Sequence, residues 1–313
     1  MASSKSVVIA ALFANGAIAI MKFAGWLLTG SPSMLSETYH SVSDTGNQVF
    51  LLVGLWYGGK EPTRGHPFGY GKAQFFYAFL VSVLLFGIAG WESASHGIHA
   101  LQHPEPVGTG ESTLFGVTFA NVWVNYTVLL AAIAFESYAF RTALANMKAQ
   151  IERHGWTGMR QAFRRTSNVT VLTALTEDAV ALGGAALALG GIALSRATGD
   201  PIYDAIGALL IGLLLMGFAL ALAWENKRLL LGESVASEDE QLLRDAIADR
   251  EGVVHVDNLR SVFFGPENLL VTADVSFAGD LDVDDLDAEI AAIESALKAA
   301  DDRVKTVYIE PEL

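Results

Sequence analysis

The chain has no cysteine in 313 residues, which excludes disulfides and thiolate metal sites. Any metal must therefore be held by imidazole, carboxylate or backbone oxygen. Charged residues make up only 17% of the sequence, and there are 7 histidines, so a charge or an imidazole within an apolar run stands out. Basic residues are scarcest after Gly232: residues 233–313 hold 6 Lys/Arg against 21 Asp/Glu, whereas residues 1–232 hold 14 against 13. A tail this acidic argues against nucleic-acid binding, which needs clustered Lys and Arg, and suits a cationic partner. Apolar residues, in contrast, make up 52%, more than one soluble core needs, and they are gathered into long runs.

A hydrocarbon core of roughly 30 Å takes about 20 helical residues. Runs of that size or longer are expected near 6–29, 33–59, 71–102, 113–145, 167–195 and 202–224. Gly30-Ser31-Pro32, His103-Pro104-Glu105-Pro106 and Asp200-Pro201 separate successive runs. The first run contains Lys22 and is followed by further spans, so it reads as a membrane helix and not a secretory signal. Alternate connections place Lys60, Arg64, Lys72, Arg141, Lys148, Arg153, Arg160, Arg164, Arg165, Lys227 and Arg228 on one side and only Arg196 on the other. The positive-inside rule then puts both termini in the cytoplasm, as an even number of spans also requires. In a prokaryotic cell the host bilayer would be the plasma membrane.

Beyond Leu231 the pattern changes to that of a small α/β domain: a helix at 237–250, strands at 253–264 and 267–277, a helix at 283–300 and a strand at 303–310. Gly265-Pro266-Glu267-Asn268 reads as the hairpin turn, and Val271 to Phe277 alternates with period two. The expected architecture is a polytopic α-helical membrane domain of six transmembrane helices, residues 1–231, followed by an αββαβ domain, residues 232–313.

Ionisable groups within membrane helices are costly and mark functional sites. The second span carries Glu37, His40, Asp44 and Asn47 at i, i+3, i+7 and i+10, which places them on one helix face. The fifth carries Glu177 and Asp178. At about 1.5 Å per residue, Asp44 and Asp178 each lie about 16 Å into their helices, near mid-membrane. His40, Asp44 and Asp178 supply three metal ligands, with a fourth place for water or Glu177. Structural hydrogen bonding between helices is the bland alternative, but a one-faced stripe matched in depth by a carboxylate pair favours an ion site.

His40-Ser41-Val42-Ser43-Asp44 resembles the HxxxD metal motif of the cation diffusion facilitator family. His66-Pro67-Phe68-Gly69-Tyr70-Gly71-Lys72 is similar to that family's HPFGxGK connection, and the ending Tyr308-Ile309-Glu310-Pro311-Glu312 is also typical. The resemblance implies six membrane helices, a ferredoxin-like cytoplasmic domain, a homodimer and export of a divalent metal, zinc first, in exchange for protons. Its direction of transport comes from the resemblance alone. In helix five the family's histidine position is Ala174, and Thr176-Glu177-Asp178 instead resembles the Glu-Asp subgroup, the ZnT9-like branch. The lost imidazole shifts the donor set toward oxygen, which admits manganese, iron or cobalt.

The metal here is cargo, and no resident cofactor is expected. Protons competing for an imidazole of ordinary pKa, about 6.5, supply the expected coupling. A membrane metalloenzyme is disfavoured, because the helices show no HExxH and no nucleophile with its base; a metal sensor without turnover is a third reading. His96, His99 and His103 share a face at the outer end of helix three above Glu92, and His66 lies at the cytoplasmic mouth. These read as ordinary polar positions more readily than as metal sites. His255 and Asp257 are too few to form a second metal centre, and the carboxylates of 280–289 read as a solvated face. Lys22 and Glu136 are expected to snorkel or pair locally, and the basic stretch from Arg153 to Arg165 to set orientation and touch anionic lipid.

Overall fold

The computed structural model describes residues 2–105, 110–114, 117–165 and 169–312. Among the described residues eight helices precede the C-terminal domain: α1 (Ala2–Thr29), α2 (Pro32–Gly58), α3 (Lys72–Leu84), α4 (Trp91–Gln102), α5 (Val122–His154), α6 (Met159–Arg165), α7 (Val169–Thr198) and α8 (Ile202–Leu231). A π-helical segment, Leu85–Gly90, joins α3 to α4, with the Trp91 N–H reaching back five residues to the Phe86 carbonyl. Among the described residues five stretches are long and apolar enough to cross a membrane: Leu12–Thr29, Lys72–Gln102, Val122–Arg153, Ala174–Thr198 and Ile202–Leu231. Helix α2 has the length, 27 residues, and owes its lower apolarity to the polar stripe it buries. The protein is a six-helix membrane protein with a small C-terminal α/β domain.

Two expectations are corrected. Residues 113–121 are not the start of the fourth span. Strands β1 (Glu111–Leu114) and β2 (Val117–Ala120) form an antiparallel hairpin there, and α5 begins at Val122. The Ser-Thr-Leu and Val-Thr-Phe stretches are β-branched and aromatic, a composition that suits a pleated ribbon as well as an apolar run. The helix ends are also later than expected, at His154 and Leu231, and much of the basic stretch after Arg153 is helix α6. Ser167 and Asn168, the expected start of the fifth span, and Pro106 lie outside the described residues.

The second span starts where its sequence demands. Gly30 takes φ +66°, Ser31 Oγ accepts from the Met34 N–H at 3.2 Å as N-cap, and Pro32 occupies the first helical position, where its missing N–H costs nothing.

The chain divides into two compact units. The first gathers Met1–Val53, Tyr77–Ala149 and Thr170–Glu225, with Met34, Leu129, Ile192, Ile211 and Leu215 in its core. Polar bonds fix the helix register: Ser31 Oγ donates to Asp204 Oδ2 of α8 at 2.7 Å, Ser33 Oγ donates to Asp204 Oδ1, and Asn121 Nδ2 donates to the Leu28 carbonyl at 2.7 Å.

The second unit gathers Gly54–Phe76, Gln150–Val169 and Asn226–Leu313. It contains α9 (Ser237–Ala248), β3 (Val253–Gly265), β4 (Asn268–Phe277), α10 (Val283–Ala300) and β5 (Val304–Glu312). The sheet order is β3-β4-β5, with the first pair antiparallel and the second parallel. Gly265 pairs with Asn268 across the expected Pro266-Glu267 turn. Alternate residues of β4 meet Leu243, Ile247, Ile293 and Leu297 of the two helices, giving a two-layer ferredoxin-like core. In the same unit the connection before α3 lies against the hairpin: the Phe68 and Phe264 rings are 4.6 Å apart, and Lys72 Nζ lies 4.9 Å from the Phe264 ring centre.

Candidate functional site

Every polar residue of the α2 stripe except Asn47 is buried: Glu37, His40 and Asp44 show 0%, 1% and 8% of their surface. Each turn of α2 addresses a different neighbour. On the first, Lys22 Nζ of α1 donates to Glu37 Oε2 at 2.7 Å. Next, His40 Nε2 lies 3.3 Å from Asp44 Oδ2, one turn away on the same helix. Further along, Asn47 Nδ2 donates to Glu177 Oε2 of α7 at 3.0 Å. Helix α7 therefore brings Glu177 and Asp178 to the same stretch of α2 that carries His40 and Asp44, and both carboxylates act electrostatically on Asp44.

Among the described residues, no three His, Asp or Glu side chains are already gathered closely enough to hold a metal ion. The structure brings His40 and Asp44 together and sets Glu177 and Asp178 beside them without closing a coordination sphere. Glu177 is engaged by Asn47. Ala174 stands on the same helix one turn before Asp178, where no donor atom is available.

Of the two courses expected for Lys22 and Glu136, snorkelling or local pairing, Lys22 takes the second. Lys22 does not snorkel. It is 1% exposed, held by Glu37, and is the only lysine or arginine buried among the described residues. Glu136 of α5 is buried as well and lies within electrostatic reach of Asp44, Lys22, His40 and Asp178. A lone charge inside an apolar run is the sequence signal for both, but their partners lie on other helices. The carboxylates of Asp44, Glu136, Glu177 and Asp178 thus share one region of the unit, while its single buried lysine is already paired. Desolvated carboxylates are costly without a compensating cation. The side chains of this region are mostly oxygen donors, with one imidazole among them, the donor types that hard to borderline divalent cations accept.

Among the described residues the other histidines build no comparable site. The His99 and His103 rings lie 4.9 Å apart at the end of α4, without joining His96 in a metal-holding group. His66 stacks on Tyr70 at 4.2 Å and closes a tight turn by exchanging backbone hydrogen bonds with Thr63. In the C-terminal domain Asp257 accepts from Ser276 Oγ at 2.7 Å, Asp282 caps α10 and Glu289 pairs with Arg250.

Residues 8–231 match the family model described as the cation efflux transmembrane domain. The mouse protein named proton-coupled zinc antiporter SLC30A9, mitochondrial, is 30% identical over 274 residues, covering 87% of this chain and 46% of its own length. A metal tolerance protein of Arabidopsis thaliana is 26% identical over 278 residues, covering 89% of this chain and 58% of its own. The cation-efflux pump FieF of Escherichia coli is 27% identical over 264 residues, covering 84% and 77%. The chain spans about half the length of the SLC30A9 relatives it matches.

Proposed function

Because this chain belongs to the cation efflux family, the cation diffusion facilitators, we propose that it is a transporter that exports Zn²⁺ in exchange for protons. His40, Asp44, Asp178 and Glu177 bind the ion in transit. The observation that carries this reading is the group of carboxylates around His40 and Asp44, buried at Asp44 and Glu136 and half-buried at Glu177 and Asp178, whose one neighbouring buried lysine among the described residues is already paired with Glu37. A divalent cation would offset the cost of that cluster, and protons would do so in its absence, which makes the two ions competitors for the same groups. Exchange then follows from alternating access. The cation loses water to the site from the cytoplasmic side, and protons arriving from the far side displace it.

The proposed membrane domain, residues 1–231, carries the ion, residues 232–313 form a cytoplasmic domain, and the protein assembles as a homodimer. Both termini face the cytoplasm, and the plasma membrane hosts the protein in a prokaryotic cell. The word mitochondrial belongs to the animal relatives' names. A second cargo reading, manganese, iron or cobalt, is favoured by Ala174, which removes the second imidazole and leaves mostly oxygen donors.

Metal uptake into proteoliposomes with Zn²⁺, Mn²⁺, Fe²⁺ and Co²⁺ tests both readings. The expected result is saturable Zn²⁺ flux that is abolished by Asp44→Ala and by Asp178→Ala and accelerated by acid on the side of release. Undiminished flux in the two variants would move the site elsewhere, and binding without flux of any metal would make the protein a sensor. Flux indifferent to a pH gradient would remove the proton exchange.

A further inference from the structure

His40 has two ring nitrogens in different surroundings. Nε2 lies 3.3 Å from Asp44 Oδ2, and Nδ1 lies 4.0 Å from Glu37 Oε1. Both Nδ1 and Glu37 Oε1 are buried without a hydrogen-bond partner. A buried donor and a buried acceptor facing each other across about one ångström more than a hydrogen bond are costly apart and favourable together. The other oxygen of Glu37 is held by Lys22 Nζ at 2.7 Å, so the carboxylate is anchored from α1 while its free oxygen faces the imidazole.

The space for this contact is made on the opposite helix. A Cβ at Gly184 of α7 would lie 2.4 Å from Glu37 Oε1 and 3.6 Å from His40 Nδ1.

We infer that Lys22 and Glu37 are positioning residues for His40: the lysine fixes the carboxylate, and the carboxylate fixes the imidazole in its Nδ1–H form, leaving the Nε2 lone pair beside Asp44 for the cation. In the other tautomer Nε2 carries the hydrogen and donates it to Asp44, and His40 no longer presents a ligand. A histidine ligand that donates its far N–H to a carboxylate is a recurrent way of orienting a metal site; here the carboxylate is in turn held by a buried lysine. Gly184 takes part by leaving the room that the pair occupies. The inference rests on the site proposed above.

The test uses the full chain in proteoliposomes, ¹⁵N-labelled at histidine, with the His40 signals assigned by their loss in His40→Gln. Removing one member of the buried pair would strand a charge and endanger folding, so the main variant is the neutral Lys22→Met/Glu37→Leu. Gly184→Ala, which keeps both charges, is the second. Without metal, native His40 is expected to show protonated Nδ1 and bare Nε2, and both variants to lose that signature. In Zn²⁺ flux, KM of both variants is expected to rise about 10- to 100-fold with maximal flux within about twofold, whereas the single conservative variant Lys22→Arg keeps the native values. An unchanged His40 signature together with an unchanged KM in the folded double variant and in Gly184→Ala would overturn the inference and reduce the ion pair to a helix tether. If the native chain carried no Zn²⁺, the proposed transport would fall while the nitrogen signature still decided the tautomer.

Discussion

Where α4 meets α8 two glycines stand in for side chains. A Cβ at Gly212 would lie 2.4 Å from the Ala94 backbone nitrogen and 2.7 Å from its Cα, and a Cβ at Gly97 would lie 2.5 Å and 2.8 Å from the same atoms of Leu209. Ordinary contact begins near 3.4 Å, and the atoms in the way are backbone, which no rotamer change can move. Gly212→Ala must therefore separate the two helices locally by about 1 Å. In a membrane, where lipid is as apolar as the helix surface, close backbone packing is a main source of helix association. Overpacking of this kind costs roughly 1–3 kcal/mol, offset by up to about 1 kcal/mol from alanine's better helix propensity.

A net loss of about 1–2 kcal/mol corresponds to a fall of roughly 2–6 °C in the thermal midpoint, read by fluorescence-detected size exclusion after heating in one fixed detergent. Gly217→Ala on the same helix is the control. Nothing lies within 4 Å of a Cβ there, so its midpoint should hold or rise slightly. Because Gly97 and Gly212 share one seam, the double alanine variant should cost less than the sum of the singles. Equal midpoints for Gly212→Ala and Gly217→Ala would refute the close approach.

Two predictions concern the C-terminal domain, both read by hydrogen exchange of the full chain. Arg303 grips Asp301 with two nitrogens, Nε to Oδ1 at 2.9 Å and Nη2 to Oδ2 at 2.6 Å, and reaches Asp239 at 3.2 Å. A lysine has no fork with which to span both carboxylates. Arg303→Lys should cost about 1 kcal/mol and lower amide protection in α9 and β5 about fivefold; unchanged protection would show the fork to be idle. Asp282 Oδ1 accepts from the Asp285 N–H at 2.9 Å as N-cap of α10. Asp282→Ala should cost about 1 kcal/mol, with exchange accelerated in the first turn of α10; a uniform change along the helix would point to a different cause.

The membrane helices were legible wherever lipid dictates composition, and less so beyond it. The apolar run of the last span ends near Trp224 while the helix continues to Leu231 through Glu225, Asn226 and Lys227, because a helix leaving the bilayer keeps its hydrogen bonds without apolar side chains. The hairpin at 111–120 was misread for a related reason: four-residue strands are too short for alternation to separate them from an apolar helix end. The C-terminal domain was legible almost to the residue, since period-two and helical patterns there alternate between distinct turn signals. At the candidate site, spacing alone placed His40 over Asp44. Lys22 and Glu37 lie 15 residues apart on separate helices, and pairing between helices leaves no periodic trace. Gly184 is recognisable only from the side chains that fill the space beside it.

The helix α2–α3 connection carries a lesson for protein engineers. A Cβ at Gly71 would lie 2.3 Å from the Phe264 carbonyl oxygen and 2.9 Å from Gly265 Cα, so the turn before α3 and the hairpin tip are moulded to each other at backbone level. Gly54–Phe76 accordingly belongs to the same compact unit as the C-terminal sheet. Exchanging the sheet domain with a relative's by cutting at Leu231 would graft a foreign hairpin onto a native socket. A viable chimera has to carry both halves of that joint, which makes the transplantable module discontinuous in sequence.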